Sequence, residues 1–237
     1  MMILALETAT LVSSVALASE ERLLAELTTA ARLTHSETLL PHIQKVLEMA
    51  GVERSELSAV AVSIGPGSFT GLRIGLATAK GLAYALGLPV VGVSTLAAMA
   101  ANFPVEGSIV ATMLDAQKGN VYLELYRTAP KGPELVAPVE ILPLAEALER
   151  CAALGEPVML AGDIAAKKLR GKELPPRVFL APPSHVLPRA AAVAELARAR
   201  LERGETDNVM DLAPTYIRRS EAEVLWEERQ KKAAAND

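Results

Sequence analysis

Two stretches of this chain share one pattern. "MILALETATLVSSVALASEE" starts at Met2 and "SIVATMLDAQKGNVYLELYRT" at Ser108. Each reads as an apolar strand closed by a single acid, a short polar turn, and a second strand. Superposing the copies sets Glu7 against Asp115. A tight turn between two strands makes the pair antiparallel. The repeat therefore predicts two halves, each built around a central strand with an acid at its end.

The remainder of the first hundred residues extends this plan. After strands Met2–Leu6, Ser14–Ala18 and Leu23–Thr28, the periodicity predicts a helix with Leu39, Leu40, Ile43, Val46, Leu47 and Ala50 on one wide face. Thr34-His35-Ser36-Glu37 has the spacing of a capping box ahead of it. Pro41 removes a backbone donor near the start and predicts a bend or a later start. Strand Ala59–Ile64, helix Thr70–Leu86, a stop at Gly87 and strand Val90–Ser94 follow. Three antiparallel strands, then strands added through helical crossovers, make an α/β fold with a ribonuclease-H-like layer. The expected division is residues 1–103, a second and degenerate half over 104–219, and a charged helical tail over 220–237. The second half carries strand Leu135–Leu142, helix Leu144–Leu154, strand Val158–Ala161 and an Ala/Arg-rich helix Arg189–Arg203. The proline-rich segment "LPPRVFLAPPSHVLP" argues against long regular elements where it falls.

Composition excludes several classes. No apolar run reaches the ~20 residues that span a bilayer, and the N-terminus lacks the basic start of a signal peptide. With one cysteine, Cys151, there is no internal disulfide framework, which together predicts a cytoplasmic protein. Net charge is −4 and aromatics are 3%, so neither a basic face nor a stacking surface for nucleic acid is expected.

The chemistry-bearing residues are few. Paired acids on matching strands of two such halves suit a site for nucleotide phosphates and a metal ion. Glu7 and Asp115, with Thr8, Thr10, Gly67 and Ser68, are the nucleotide or anion candidates. Backbone amides of "GPGSFTG" at a helix start suit an anion, but Leu72 stands where a phosphate-binding loop needs lysine. The same glycines also suit a plain strand-to-helix turn. His35 and His42 are seven apart, ~10.5 Å along a helix, too far to share a zinc ion. His185 stands alone, and all three histidines read as surface or capping residues. Ser68 lies outside a G-x-S-x-G elbow.

The helix Thr70–Leu86 is apolar almost all round, with only Arg73 and Lys80 charged, and these share one line. Such a helix is covered on two sides. Gly71, Gly75 and Thr78 keep a strip small enough for a second helix. The second cover is the chain's own other half or another protein.

"ILALETATLVSSVAL", "HSETLLPHIQKVLEMAG", "SIGPGSFTGLRIGLATAKGLAYALGLPVVGVSTL", "MLDAQKGNVYLELY" and "APTYIRR" resemble the TsaB (YeaZ) family, from residue 2 to about residue 219. The resemblance implies the actin-like (ASKHA) arrangement of two ribonuclease-H-like subdomains, the second smaller. It implies a non-catalytic subunit that binds and activates TsaD for N6-threonylcarbamoylation of adenosine 37 in tRNAs reading ANN codons. It further implies TsaE as a companion, a homodimer when TsaD is absent, and tRNA contact only through the complex. In TsaD two histidines after the equivalent strand bind the metal; their places fall here on Thr95 and Met99, which implies no metal and no catalytic residue. The implied TsaD interface is Leu39, Leu40, Ile43, Leu47, Gly71, Leu72, Arg73, Gly75, Leu76 and Ala79. A nucleotide at that interface stays open. The alternative is an actin-like ATPase or a metallopeptidase acting alone.

Overall fold

In the computed structural model, residues 1–30, 35–218 and 226 are described. Strands β1 (Ile3–Glu7), β2 (Ser13–Ala18) and β3 (Leu23–Thr29) are antiparallel neighbours. β4 (Ala59–Gly65) and β5 (Val90–Ser94) add in parallel beyond β1, giving the order β3-β2-β1-β4-β5. The second sheet repeats the order as β8-β7-β6-β9-β10, from β6 (Ile109–Asp115), β7 (Asn120–Arg127), β8 (Glu134–Pro143), β9 (Val158–Ala161) and β10 (Val178–Leu180). Glu7 and Asp115 close the two equivalent central strands, pairing with Ser14 and Val121 across their hairpins. The fold is thus two ribonuclease-H-like layers in the actin-like manner.

Among the described residues five helices cover the sheets: α1 (His35–Ala50), α2 (Phe69–Leu86), α3 (Thr95–Ala100), α4 (Leu144–Ala153) and α5 (Ala190–Glu202). α1 begins ahead of Pro41 and continues past it, so the expected later start does not occur. Burial of Leu39, Ile43, Val46 and Leu47, each contributing about 1.5–3 kcal/mol, outweighs one missing donor. Thr34 of the expected capping box and nearly all of the expected tail lie outside the described residues. In the second sheet, β9 connects to β10 through a single π-helical turn (Ala165–Leu169) where the first sheet has the whole of α2. That is the physical content of "degenerate".

Side-chain size decides what sits on each face. Leu4 and Leu6 of β1 join Val15, Leu17, Leu39, Ile43, Val46 and Leu76 in a core of large side chains. Ile3 and Ala5 join Ala16, Ala59 and Ala61, against Ala190, Val193, Ala194 and Ala197 of α5. Alanine on both sides lets α5 lie close to the sheet, which explains its composition.

The two sheets fall either side of the expected division at residue 104, and helices pack across it. α5 follows the second sheet in sequence but packs on β1 and β2 of the first. α3, which follows the first sheet, packs on β4 and β5 of that sheet and also on β6 and β7 of the second. α3 had no counterpart in the sequence reading because six residues carry too little periodicity. Between them, α5 and α3 knit the halves together.

Candidate functional site

Glu7 is fully buried. One carboxyl oxygen accepts the Ala9 N–H at 2.6 Å, and the other accepts the Ser63 hydroxyl. Desolvation dominates these two bonds and pushes its pKa up to about 7. Thr8 is buried beside it and donates its hydroxyl to the Gly71 carbonyl at 2.8 Å. Neither residue faces open space.

The glycines that follow are spent on this contact. A side chain on Gly71 would strike the Thr8 carbonyl, and one on Gly75 would strike the Thr8 hydroxyl. The small strip therefore admits the β1–β2 turn, and the expectation that it admits a second helix is corrected. Ser68 caps α2 by accepting the Gly71 N–H, and its own N–H goes to the Ala9 carbonyl at 2.7 Å.

A cleft of about 710 Å³ opens between the halves. Thr10, Gly67 and Ser68 line one wall, while Asp115, Gln117, Lys167 and Arg218 line the other. Of the six nucleotide candidates, Thr10, Gly67, Ser68 and Asp115 thus come together, and Glu7 and Thr8 lie beneath the floor. Asp115 accepts the Gln117 N–H at 2.8 Å and faces Lys168 at 3.6 Å. Asp163 accepts the Asp115 N–H and pairs with Lys167, both at 3.1 Å. Among the described residues no group of His, Cys, Asp or Glu has metal-binding spacing.

Two of the three histidines expected to be surface or capping residues are bonded to the β1–β2 turn and the start of β2. His35 meets the Thr10 carbonyl through Nε2 at 2.8 Å. His42 meets the Ser13 hydroxyl at 3.2 Å, and burial lowers its pKa. Thr95 and Met99 are fully buried in α3, Met99 within the apolar cluster that joins the halves. Cys151 is likewise buried, and desolvation pushes its thiol up to about 12.

The candidate interface needs the largest correction. Leu39, Ile43, Leu47, Gly71, Leu72, Gly75, Leu76 and Ala79 are all buried within this chain. Only Leu40 and Arg73 of the ten face outward. The outer stripe of α2 is instead Thr70, Ala77, Gly81, Tyr84 and Ala85, with Tyr84 73% exposed. Leu40, 60% exposed, lines a groove of about 700 Å³ with Leu82.

One edge of α2 is covered by the chain itself, along residues 207–218. Lys80 donates to the Met210 and Leu212 carbonyls, each at 3.0 Å. Arg73 donates to the Tyr216 hydroxyl at 2.9 Å, and the Tyr216 ring stacks on Phe69 at 4.4 Å. Sequence reasoning missed Met210 and Tyr216. Its one available signal was Arg73 and Lys80 on a common line of an otherwise uncharged helix.

Comparison with known proteins adds the following. Residues 27–226 match the family model described as TsaD: tRNA N6-adenosine threonylcarbamoyltransferase. The tRNA threonylcarbamoyladenosine biosynthesis protein TsaB of Bacillus subtilis is 33% identical over 233 residues, covering 98% of this chain and 100% of the relative. TsaB of Escherichia coli is 34% identical, covering 95% and 97%. YeaZ from Pseudomonas aeruginosa superposes with a TM-score of 0.78 at 32% identity, over 91% of this chain and 99% of that one.

Proposed function

Since the chain belongs to the TsaB family of tRNA threonylcarbamoyladenosine biosynthesis proteins, we propose that it is a non-catalytic subunit that binds and activates TsaD. The product is N6-threonylcarbamoyladenosine at position 37 of tRNAs reading ANN codons. In this reading TsaD carries the chemistry, TsaE joins the pair, and tRNA is held by the assembly in the cytoplasm. The chain needs no cofactor of its own.

The observation that supports the reading best is the outward stripe of α2. Ala77, Gly81, Tyr84 and Ala85 present a small, uncharged helix face to solvent beside exposed Leu40. A continuous apolar face of this kind suits a protein partner, with Tyr84 as the anchor a hot spot favours. Equivalent helices of TsaD meet it across a pseudo-two-fold axis, and a second copy of this chain takes the place when TsaD is absent.

A self-acting ATPase fits less well, because Glu7 has both carboxyl oxygens engaged beneath the cleft floor. A metallopeptidase would need ligands where Thr95 and Met99 are sealed inside the molecule.

Gly81→Arg tests the proposal. A side chain there meets nothing within 4 Å, so the fold tolerates it. Co-elution with TsaD should disappear while the melting curve stays unchanged; intact co-elution would remove α2 from the interface. Gly75→Arg is no such test, since the new side chain would drive into Thr8.

A further inference from the structure

Two-lobed folds of this kind have a cleft that can open and close by hinge rotation. Here the segment 207–218 crosses that cleft. We infer that it is a latch that holds the cleft at one opening and makes the two halves a rigid scaffold.

The latch is fastened to the first half along its length. Asp207 donates its N–H to the Val90 carbonyl at 2.9 Å. Its carboxylate takes the Gly92 N–H at 2.7 Å and two guanidinium bonds from Arg200 at 3.0 and 3.2 Å. Lys80 then holds two carbonyls, and Thr215 donates to the Ile64 carbonyl at 2.7 Å. Tyr216 ends this run, stacked on Phe69 and bonded to Arg73.

The next two residues grip the second half. Ile217 packs on the cluster containing Leu114, Ala116 and Tyr122. The Arg218 guanidinium donates to the Ala116 carbonyl, in the turn that follows Asp115. Phe69 and Arg73 on one lip, and Ala116 and Arg218 on the other, all line the cleft. Opening it must break these contacts together. Two glycines make room for the passage: a side chain on Gly65 would meet the Thr215 carbonyl at 2.8 Å, and one on Gly92 would meet Leu212 at 3.0 Å. The "APTYIR" stretch, residues 213–218, is the part that spans the two halves.

This inference stands apart from the partner reading and is tested on the chain alone. Spin labels at Leu11→Cys and Lys167→Cys, exposed positions that line the cleft, report its width, and buried Cys151 stays unlabelled. Electron double resonance should give one narrow distance in the otherwise native chain. Adding Tyr216→Ala and Arg218→Ala should broaden the distribution and shift it to longer distance. If that combination unfolds, Arg218→Ala alone should give the same broadening. Identical distributions with and without the latch residues, or a broad one in the native chain, would overturn the inference.

Discussion

Glu7 shows how far a residue's place can be known before its role. Its position at the end of a central strand follows from the repeated pattern, and the structure puts it there. Whether it reaches solvent depends on Ser63 and the α2 glycines, which come from distant parts of the chain. Its raised pKa carries a stability consequence. The folded state holds a proton up to about pH 7, whereas a free carboxyl releases it near 4.5. Its contribution is therefore fully present at low pH and is lost as pH rises through that window. Unfolding at pH 5 and pH 8 should show Glu7→Gln gaining on the native chain at the higher pH. An equal difference at both would contradict the assignment. Nearby, Gly75→Ala should cost about 1–3 kcal/mol, the usual penalty for forcing atoms into a filled core. A denaturant midpoint unchanged by that substitution would mean the Thr8 contact is loose.

At the scale of elements, α2 was legible as a helix covered on more than one side, but its faces were not. Leu39 and Leu40 are adjacent and chemically identical, yet one is core and the other surface. Periodicity gives a face's width, and only the sheet beneath fixes its direction. Arg73 and Lys80 mark the edge that the chain covers for itself. Lys80→Ala removes two charge-assisted bonds to the latch and should cost about 1–2 kcal/mol. Chemical denaturation measures that loss, and hydrogen exchange should quicken around Met210 and Leu212. Fast exchange there already in the native chain would speak against the latch. α5 was equally legible as a helix and equally silent about its destination. Its alanines match the alanines of β1, β2 and β4, a complementarity visible only once the strands are placed.

For the whole molecule, the internal repeat carried most of what could be read in advance. Both sheets have the same strand order around the strands that end in Glu7 and Asp115. The packing of α3 and α5 across the halves, and the latch between them, escaped because they rest on contacts between residues remote in sequence. The resulting body has its strand-end acids bonded or ion-paired internally and a bare helical face outside, which suits it to assist another protein's reaction. The most direct measurement of that claim is reconstitution: TsaD, tRNA and the threonylcarbamoyl-adenylate donor, with and without this chain, followed by nucleoside analysis. The account predicts efficient modification only when both proteins are present, retained in Glu7→Gln and lost in Gly81→Arg. Modification by this chain without TsaD, or no stimulation of TsaD when it is added, would contradict it.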